Sequence, residues 1–285
     1  GLVYGLMALG VLITFRILDF PDLTVDGSFP LGACVTATIT VVFGLNPIYA
    51  LLIGVIGGIF AGLLTGILST KLKILNLLAG ILTMTLLYSV NLRIMGKPNI
   101  SLFASETVLT KFEVLVGNVG LQEYSDLIFF AALIVLVKFL LDKFFNTELG
   151  LALRATGDNE QMIVTQGVNT DSMKILGLAI SNGLVALSGG LVAQYSGFAD
   201  VGMGIGTIIA GLASVIIGET LLPTFSFRWM TTAVIFGSVI YRATIMVALR
   251  YGFHLGFKAS DLKLITALIV IISLALPKVS SRLKL

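Results

Sequence analysis

A single cysteine, Cys34, and a single histidine, His254, occur in the whole chain. An internal disulfide framework is therefore excluded, and a metal or nucleophile site has too little material. Charge is equally scarce, with only 12% of residues Asp, Glu, Lys or Arg. Soluble domains carry about 25%, so a water-exposed globule is excluded as well. The net charge is +3, yet no basic run of the kind that grips nucleic acid is present, and no nucleic-acid partner is read. A phosphate-cradling GxxxxGK[ST] loop is missing. The first residues lack a basic region and a small-residue cleavage site, so no signal peptide is read.

What the chain has instead is oil: 57% of its residues are hydrophobic. They fall into nine segments, roughly 1–18, 28–44, 47–70, 74–95, 126–145, 173–195, 204–218, 229–249 and 261–277, most near the length that spans hydrocarbon. Backbone groups in lipid must bond within their own segment, and the pattern lacks barrel alternation. The expectation is an all-α polytopic membrane bundle. Gly54, Gly58, Gly62 and Gly66 recur every fourth residue in the third segment, which reads as a face for close helix packing. The second and seventh segments are short and read as tilted, broken or re-entrant.

Basic residues set the orientation. If every segment crosses, Arg16, Lys71, Lys73, Lys138, Lys143, Arg154, Lys174, Arg228, Lys278, Arg282 and Lys284 share one side. Only Arg93, Lys97, Lys111, Arg250, Lys258 and Lys263 fall on the other, so the N-terminus is placed outside and the C-terminus in the cytoplasm. A repeat is also visible. The first and sixth segments each lead into an Asp- and Gly-containing break and then a short small-residue helix. An odd offset of five segments makes the halves inverted, a recurring transporter plan. The expected single permease domain then divides at roughly 1–95, an outer loop 96–125, a linking helix 126–145, a cytoplasmic loop 146–172 and a second repeat 173–285.

Polar residues inside these segments line a cavity or bond a neighbouring helix. Thr83, Met84, Tyr88, Asn91 and Met95 lie on the fourth segment, and Ser181 and Asn182 on the sixth; both readings stand for them. Asp22, Asp26 and Asp200 flank the breaks, where they gate the cavity, meet substrate charge or cap a helix start. Asp26 before Gly27 and Ser28 is well suited to capping its own helix. Arg242 either pairs internally or snorkels. Tyr195, Phe198 and Trp229 are read as interfacial anchors, and Cys34 and His254 as structural. In the 146–172 stretch, Asp158 and Gln161 have capping-box spacing and Gly167 supplies a stop. That spacing predicts a capped helix of two to three turns, presenting Met162 and Ile163. The outer loop mixes acidic Glu106, Glu113 and Glu123 with apolar residues, suiting either a docking surface or a lid.

The run Glu148-Leu149-Gly150-Leu151-Ala152-Leu153-Arg154-Ala155, with Asn159-Glu160 and Gly167-Val168-Asn169, resembles the coupling loop of ATP-binding-cassette importer permeases for branched-chain amino acids and sugars. Ala210 to Gly218 is similar to that family's glycine-terminated apolar run. The stretches Phe15–Pro30 and Leu78–Gly96 resemble a narrower bacterial subgroup tied to tryptophan, tyrosine or phenylalanine uptake. The resemblance covers nearly the whole chain. It implies a bacterial plasma-membrane permease working as a homodimer with two cytoplasmic ATPase subunits and an extracellular substrate-binding lipoprotein. Arg154, Ala155, Gly157, Asp158, Asn159, Glu160, Met162, Ile163 and Gly167 would form the ATPase-docking surface. ATP and magnesium would sit on the partner, with no cofactor on this chain and no catalytic residue. The alternative is an ion-coupled secondary transporter with a working carboxylate among Asp22, Asp26 and Asp200.

Overall fold

The computed structural model describes residues 1–117, 122–223 and 226–252, together with 264, 267, 268 and 271. The chain opens with α1 (Leu2–Val11), which widens into a π-helical turn (Leu12–Ile17). There the Leu18 amide reaches back five residues to Ile13 O at 3.0 Å. Asp19 then takes a left-handed φ of +51° and the chain leaves the helix. Next come α2 (Val25–Val41), α3 (Pro47–Thr70) and α4 (Asn76–Met95). Asn46 caps α3 and Pro47 opens it, a position where a missing N–H costs nothing. After strand β1 (Asn99–Ser101) and α5 (Val108–Gly117), the long α6 (Ser125–Phe144) is followed by two short helices, α7 (Glu148–Asp158) and α8 (Glu160–Thr165). The chain continues through α9 (Thr170–Ser196), strand β2 (Phe198–Asp200), a short 3₁₀ turn, α10 (Thr207–Leu221) and α11 (Phe227–Gly252).

Eight of the nine expected segments are thus helices among the described residues, and the ninth lies largely outside them, as does His254. Among the described residues, five helical stretches are long and apolar enough to cross a membrane: α3, α4, α9, the 201–221 stretch and α11. Helix α6 is not one of them, because Lys138, Asp142 and Lys143 crowd its last two turns. Two of these charges are paired within the helix. Lys138 pairs with Asp142 one turn on, and Thr231 of α11 donates to Asp142 Oδ1 at 2.9 Å. The polypeptide is a multi-pass membrane protein.

Helix α9 is the axle of the bundle, packed against α1, α2 and α3. Close approach here relies on missing side chains. A Cβ on Gly58 or Gly62 would strike the α9 backbone at Asn182 or Leu178, and one on Gly66 would press on Ile175. Gly54, one turn further, faces α2 at Gly32 and Thr36 instead. The glycine face read from the sequence therefore serves two partners. With lipid as solvent, such backbone proximity supplies the van der Waals contact that hydrophobicity cannot. Hydroxyls add cross-ties: Ser181 and Ser188 of α9 donate to the Gly10 and Val3 carbonyls of α1, both at 2.8 Å.

The two ends differ in chemistry. At one end Arg16 bonds Glu219 at 2.8 Å, Lys71 and Lys73 approach Asp171 within 3.9 Å, and Lys174 bonds Glu160 at 2.6 Å. At the other, β1 pairs antiparallel with β2, Ile100 opposite Ala199. Helix α5 is fastened there too, its Val108 amide donating to Gln194 Oε1 at 2.8 Å. Among its described residues the 96–125 stretch contributes one strand of this small sheet and helix α5.

Candidate functional site

Helices α2 and α10 both begin inside the bundle, and one side chain joins their starts. Asp26, in the first turn of α2, accepts from the Gly206 amide at 2.9 Å, the Thr207 hydroxyl at 3.0 Å and the Ile208 amide at 2.8 Å. It therefore caps α10 of the other half rather than its own helix. The cause is geometric: Gly204 lies against the Asp26 carbonyl, which Pro30 has no N–H to occupy. That contact brings the unsatisfied amides of α10 under the carboxylate, where the helix dipole favours negative charge.

The turn before α2 is held by Asp22, which is fully buried. Its Oδ1 accepts from the Thr24 amide at 2.9 Å and its Oδ2 from Asn182 Nδ2 at 2.8 Å. Asn182 also accepts from Ser28 at 2.7 Å and donates to Leu178 O, so all its polar atoms are used. Thr83 is committed in the same way, joined through Thr65 to Thr24 at 2.9 and 2.7 Å. Thr83 and Asn182 therefore tie helices together, and neither lines the cavity formed by α2 and α4. Asp200 accepts from the Gly202 amide at 2.7 Å and caps the 3₁₀ turn ahead of α10.

Met84, Tyr88 and Asn91 do share a wall. They line a cavity of about 260 Å³ with Asp26, Gly27 and Pro30 of α2, closed across by Val201 and Ile205. The wall is mainly apolar, with four polar side chains, those of Asp26, Thr85, Tyr88 and Asn91. Asn91 is 0% exposed; its Nδ2 donates to Gly27 O at 3.3 Å, and its Oδ1 has no hydrogen-bond partner. Asp26 belongs to this site although local spacing pointed only to capping. No local signal in the sequence links it to Gly206.

A second cavity, of about 400 Å³, is lined by Tyr4, Thr207, Tyr241 and Arg242. The Arg242 guanidinium stands 3.2 Å from the centroid of the Tyr4 ring, and no carboxylate pairs with it among the described residues. A cation–π contact thus takes the place of an internal ion pair.

At the basic end, the expected capped helix is present as α8, shorter than read, and a further helix, α7, precedes it. Asn159, not Asp158, is the cap: its side chain accepts from the Met162 amide at 3.0 Å, while Asp158 closes α7. An extended Asn159 separates the two. Gly167, at φ +84°, ends α8 where the sequence placed the stop. Met162 and Val164 of α8 and Leu149 and Leu151 of α7 are exposed, while Ile163 is buried. Arg154 stacks over Phe227 at 5.6 Å, and Glu160 bonds Lys174. That bond holds the Glu160 carboxyl below its usual range. Gly157 sits directly on the Ile17 carbonyl, with no room for a Cβ, so α7 abuts the π-helical end of α1. Between them opens a groove of about 770 Å³ walled by Arg16, Arg154, Ala155 and Asp158.

Comparison with known proteins places this arrangement. Residues 1–275 match the family described as the permease component of branched-chain amino acid transport systems. The chain is 50% identical over 284 residues to the tyrosine transport system permease protein of Clostridioides difficile, strain R20291, covering 100% of this chain and 91% of that one. It is 37% identical over 269 residues to the uncharacterized protein RP368 of Rickettsia prowazekii, strain Madrid E, covering 94% and 92%. No solved structure matches. The chain belongs to the family of branched-chain amino acid transport system permeases.

Proposed function

We propose that this chain is the membrane-spanning subunit of an ATP-driven importer and that its cargo is an aromatic amino acid. The observation that carries the reading is the 50% identity, over the full length, to a permease named for tyrosine transport. The cavity bounded by Met84, Tyr88, Asn91 and Asp26 supports it. Its apolar wall suits a ring, and its few polar groups suit the charged end of an amino acid.

The working unit is two copies of this chain, two cytoplasmic ATPases that hold ATP and magnesium, and an extracellular substrate-binding lipoprotein. Helices α7 and α8 form the cytoplasmic foothold, with Arg154, Ala155, Gly157, Asp158, Asn159, Glu160, Met162, Ile163 and Gly167 on or behind its docking face. Supporting this are the exposed Met162 and Val164 and the rigid seat of Gly157 on Ile17. Closure of the ATPases would push α7 against the end of α1 and alternate the access of the cavity. The N-terminus then lies outside, and the halves 1–95 and 173–285 are inverted repeats joined by α6. In support, each half enters its broken helix through an aspartate that accepts the amide two residues on, Asp22 to Thr24 and Asp200 to Gly202.

The test uses lipid vesicles containing the chain with its ATPase and binding protein, loaded with ATP, and follows labelled tyrosine, phenylalanine, tryptophan and leucine. Uptake of one or more aromatic amino acids over leucine is expected. Preference for leucine, or no uptake of any of the four, would overturn the assignment.

A further inference from the structure

Asn91 Oδ1 is an acceptor with nothing to accept from. The residue is wholly enclosed, yet it forms part of a cavity wall, and its amide orientation is dictated: only Nδ2 is attractive toward the Gly27 carbonyl. A buried amide oxygen without a donor is costly, so the cavity calls for a ligand that donates. Asp26 forms another part of the same wall. A carboxylate has about four acceptor positions; Gly206, Thr207 and Ile208 fill three of those on Asp26, leaving one on Oδ2.

Two acceptors, one of them an anion, share a small apolar cavity with no lysine or arginine in its lining. From this we infer that Asp26 and Asn91 form a subsite for the α-ammonium group of the transported amino acid. Met84, Tyr88 and Ile205 face the side chain of the cargo. The inference rests on the aromatic-amino-acid reading and adds the group by which the cargo is held. It also gives the subsite leverage. Asp26 is the cap of α10, so an ammonium drawing on that carboxylate acts on the junction between the two broken helices. Occupancy and helix position are then linked, as differential binding to two conformations requires.

The probes are tyramine, an aromatic amine without a carboxylate, and 3-(4-hydroxyphenyl)propanoate, the acid without an amine. Each is titrated against the full chain in lipid nanodiscs while thermal unfolding is followed. Tyramine is expected to raise the unfolding temperature of the native chain and the acid to leave it unchanged. In Asn91→Leu the tyramine effect should weaken by roughly ten- to hundredfold in concentration, the size of one hydrogen bond to a charged group. In Asn91→Asp it should strengthen. Equal response to both probes, or an Asn91→Leu chain that responds like the native one, overturns the subsite. If Asn91→Leu does not fold, Asn91→Asp decides, and unchanged or weaker tyramine binding counts against it. These readings need no transport. A vesicle that takes up no aromatic amino acid would remove the cargo assignment, while a lost tyramine response alone would remove only the subsite.

Discussion

The Asp26 carboxylate and the Gly206 amide, 180 positions apart in the chain, meet at 2.9 Å inside the bundle. Through this bond the start of α2 and the start of α10 become one object. Replacing Asp26 with Ala strands the Gly206 and Ile208 amides at the start of α10, while the Thr207 hydroxyl keeps Gly204 O as its acceptor. The expected cost is about 1–3 kcal/mol, the range for stranding buried donors. Asp26→Asn keeps an acceptor oxygen and should cost less. Thermal unfolding of the chain in nanodiscs checks the order native, Asn, Ala.

The contact of α3 with α9 depends on bare backbone. Gly62→Val puts a branched side chain where the Leu178 carbonyl stands, and Gly58→Val does the same at Asn182. Both should lose several kcal/mol, since neither backbone yields as a side chain tip would. Gly57→Val is the contrast, because a Cβ there meets only the Leu31 side chain at 3.5 Å or more. Yield of monodisperse protein and unfolding temperature should separate the first two from the third.

At the foothold, Asn159→Ala removes the α8 cap, worth about 1 kcal/mol. A helix of six residues has little else to hold it. The expected result is a permease that still folds but couples poorly, with ATPase stimulation by the loaded binding protein reduced severalfold. Asp158→Ala should be milder, because its side chain caps nothing.

The Glu160–Lys174 pair gives a pH prediction. Hydrogen bonding to Lys174 holds the Glu160 carboxyl below its ordinary value of 4.5. A depressed carboxyl contributes stability that is present above the ordinary value and is lost as pH falls through the folded one. Coupling should therefore be flat with respect to this pair across the neutral range, weakening only in acid below 4.5. Glu160→Gln should remove that acid limb of the ATPase-stimulation profile without altering its neutral plateau by more than a small factor, since the Glu160 side chain is about half exposed.

Arg242 and Tyr4 offer a further check. The guanidinium finds its partner in a ring rather than a carboxylate. Tyr4→Leu leaves the cation without that partner, whereas Arg242→Met removes the cation itself, so the first should destabilise more. A cation–π contact of this kind is worth about 0.5–2 kcal/mol. In the double variant the Tyr4→Leu cost should shrink by that amount, which unfolding measurements on all four chains would show.

Much of the fold was legible because lipid makes sequence patterns blunt. Long apolar runs gave the helices within a few residues, and Gly54, Gly58, Gly62 and Gly66 sit at helix contacts. Gly167 stopped its helix because only a left-handed residue fits there. The misplacements share one cause. Asp158 and Asn159 are both good caps, and the choice between them turned on α7 being packed against Ile17, a contact outside the local sequence. Thr83 and Asn182 look like pathway residues by type, yet Thr65 and Asp22 claim them. Asp26 looked like the cap of its own helix, while its true partners lie in the other half. Polar residue type is local information; the partner is set by packing.

Vesicles provide the most direct test of the central claim that this chain moves its cargo uphill only when a separate ATPase drives it. Labelled tyrosine uptake should be followed with the chain alone under proton or sodium gradients, and again with ATPase, binding protein and ATP present. Accumulation above the outside concentration is expected only in the second case, and should vanish when ATP is replaced by a non-hydrolysable analogue. Accumulation by the chain alone on an ion gradient would contradict the account.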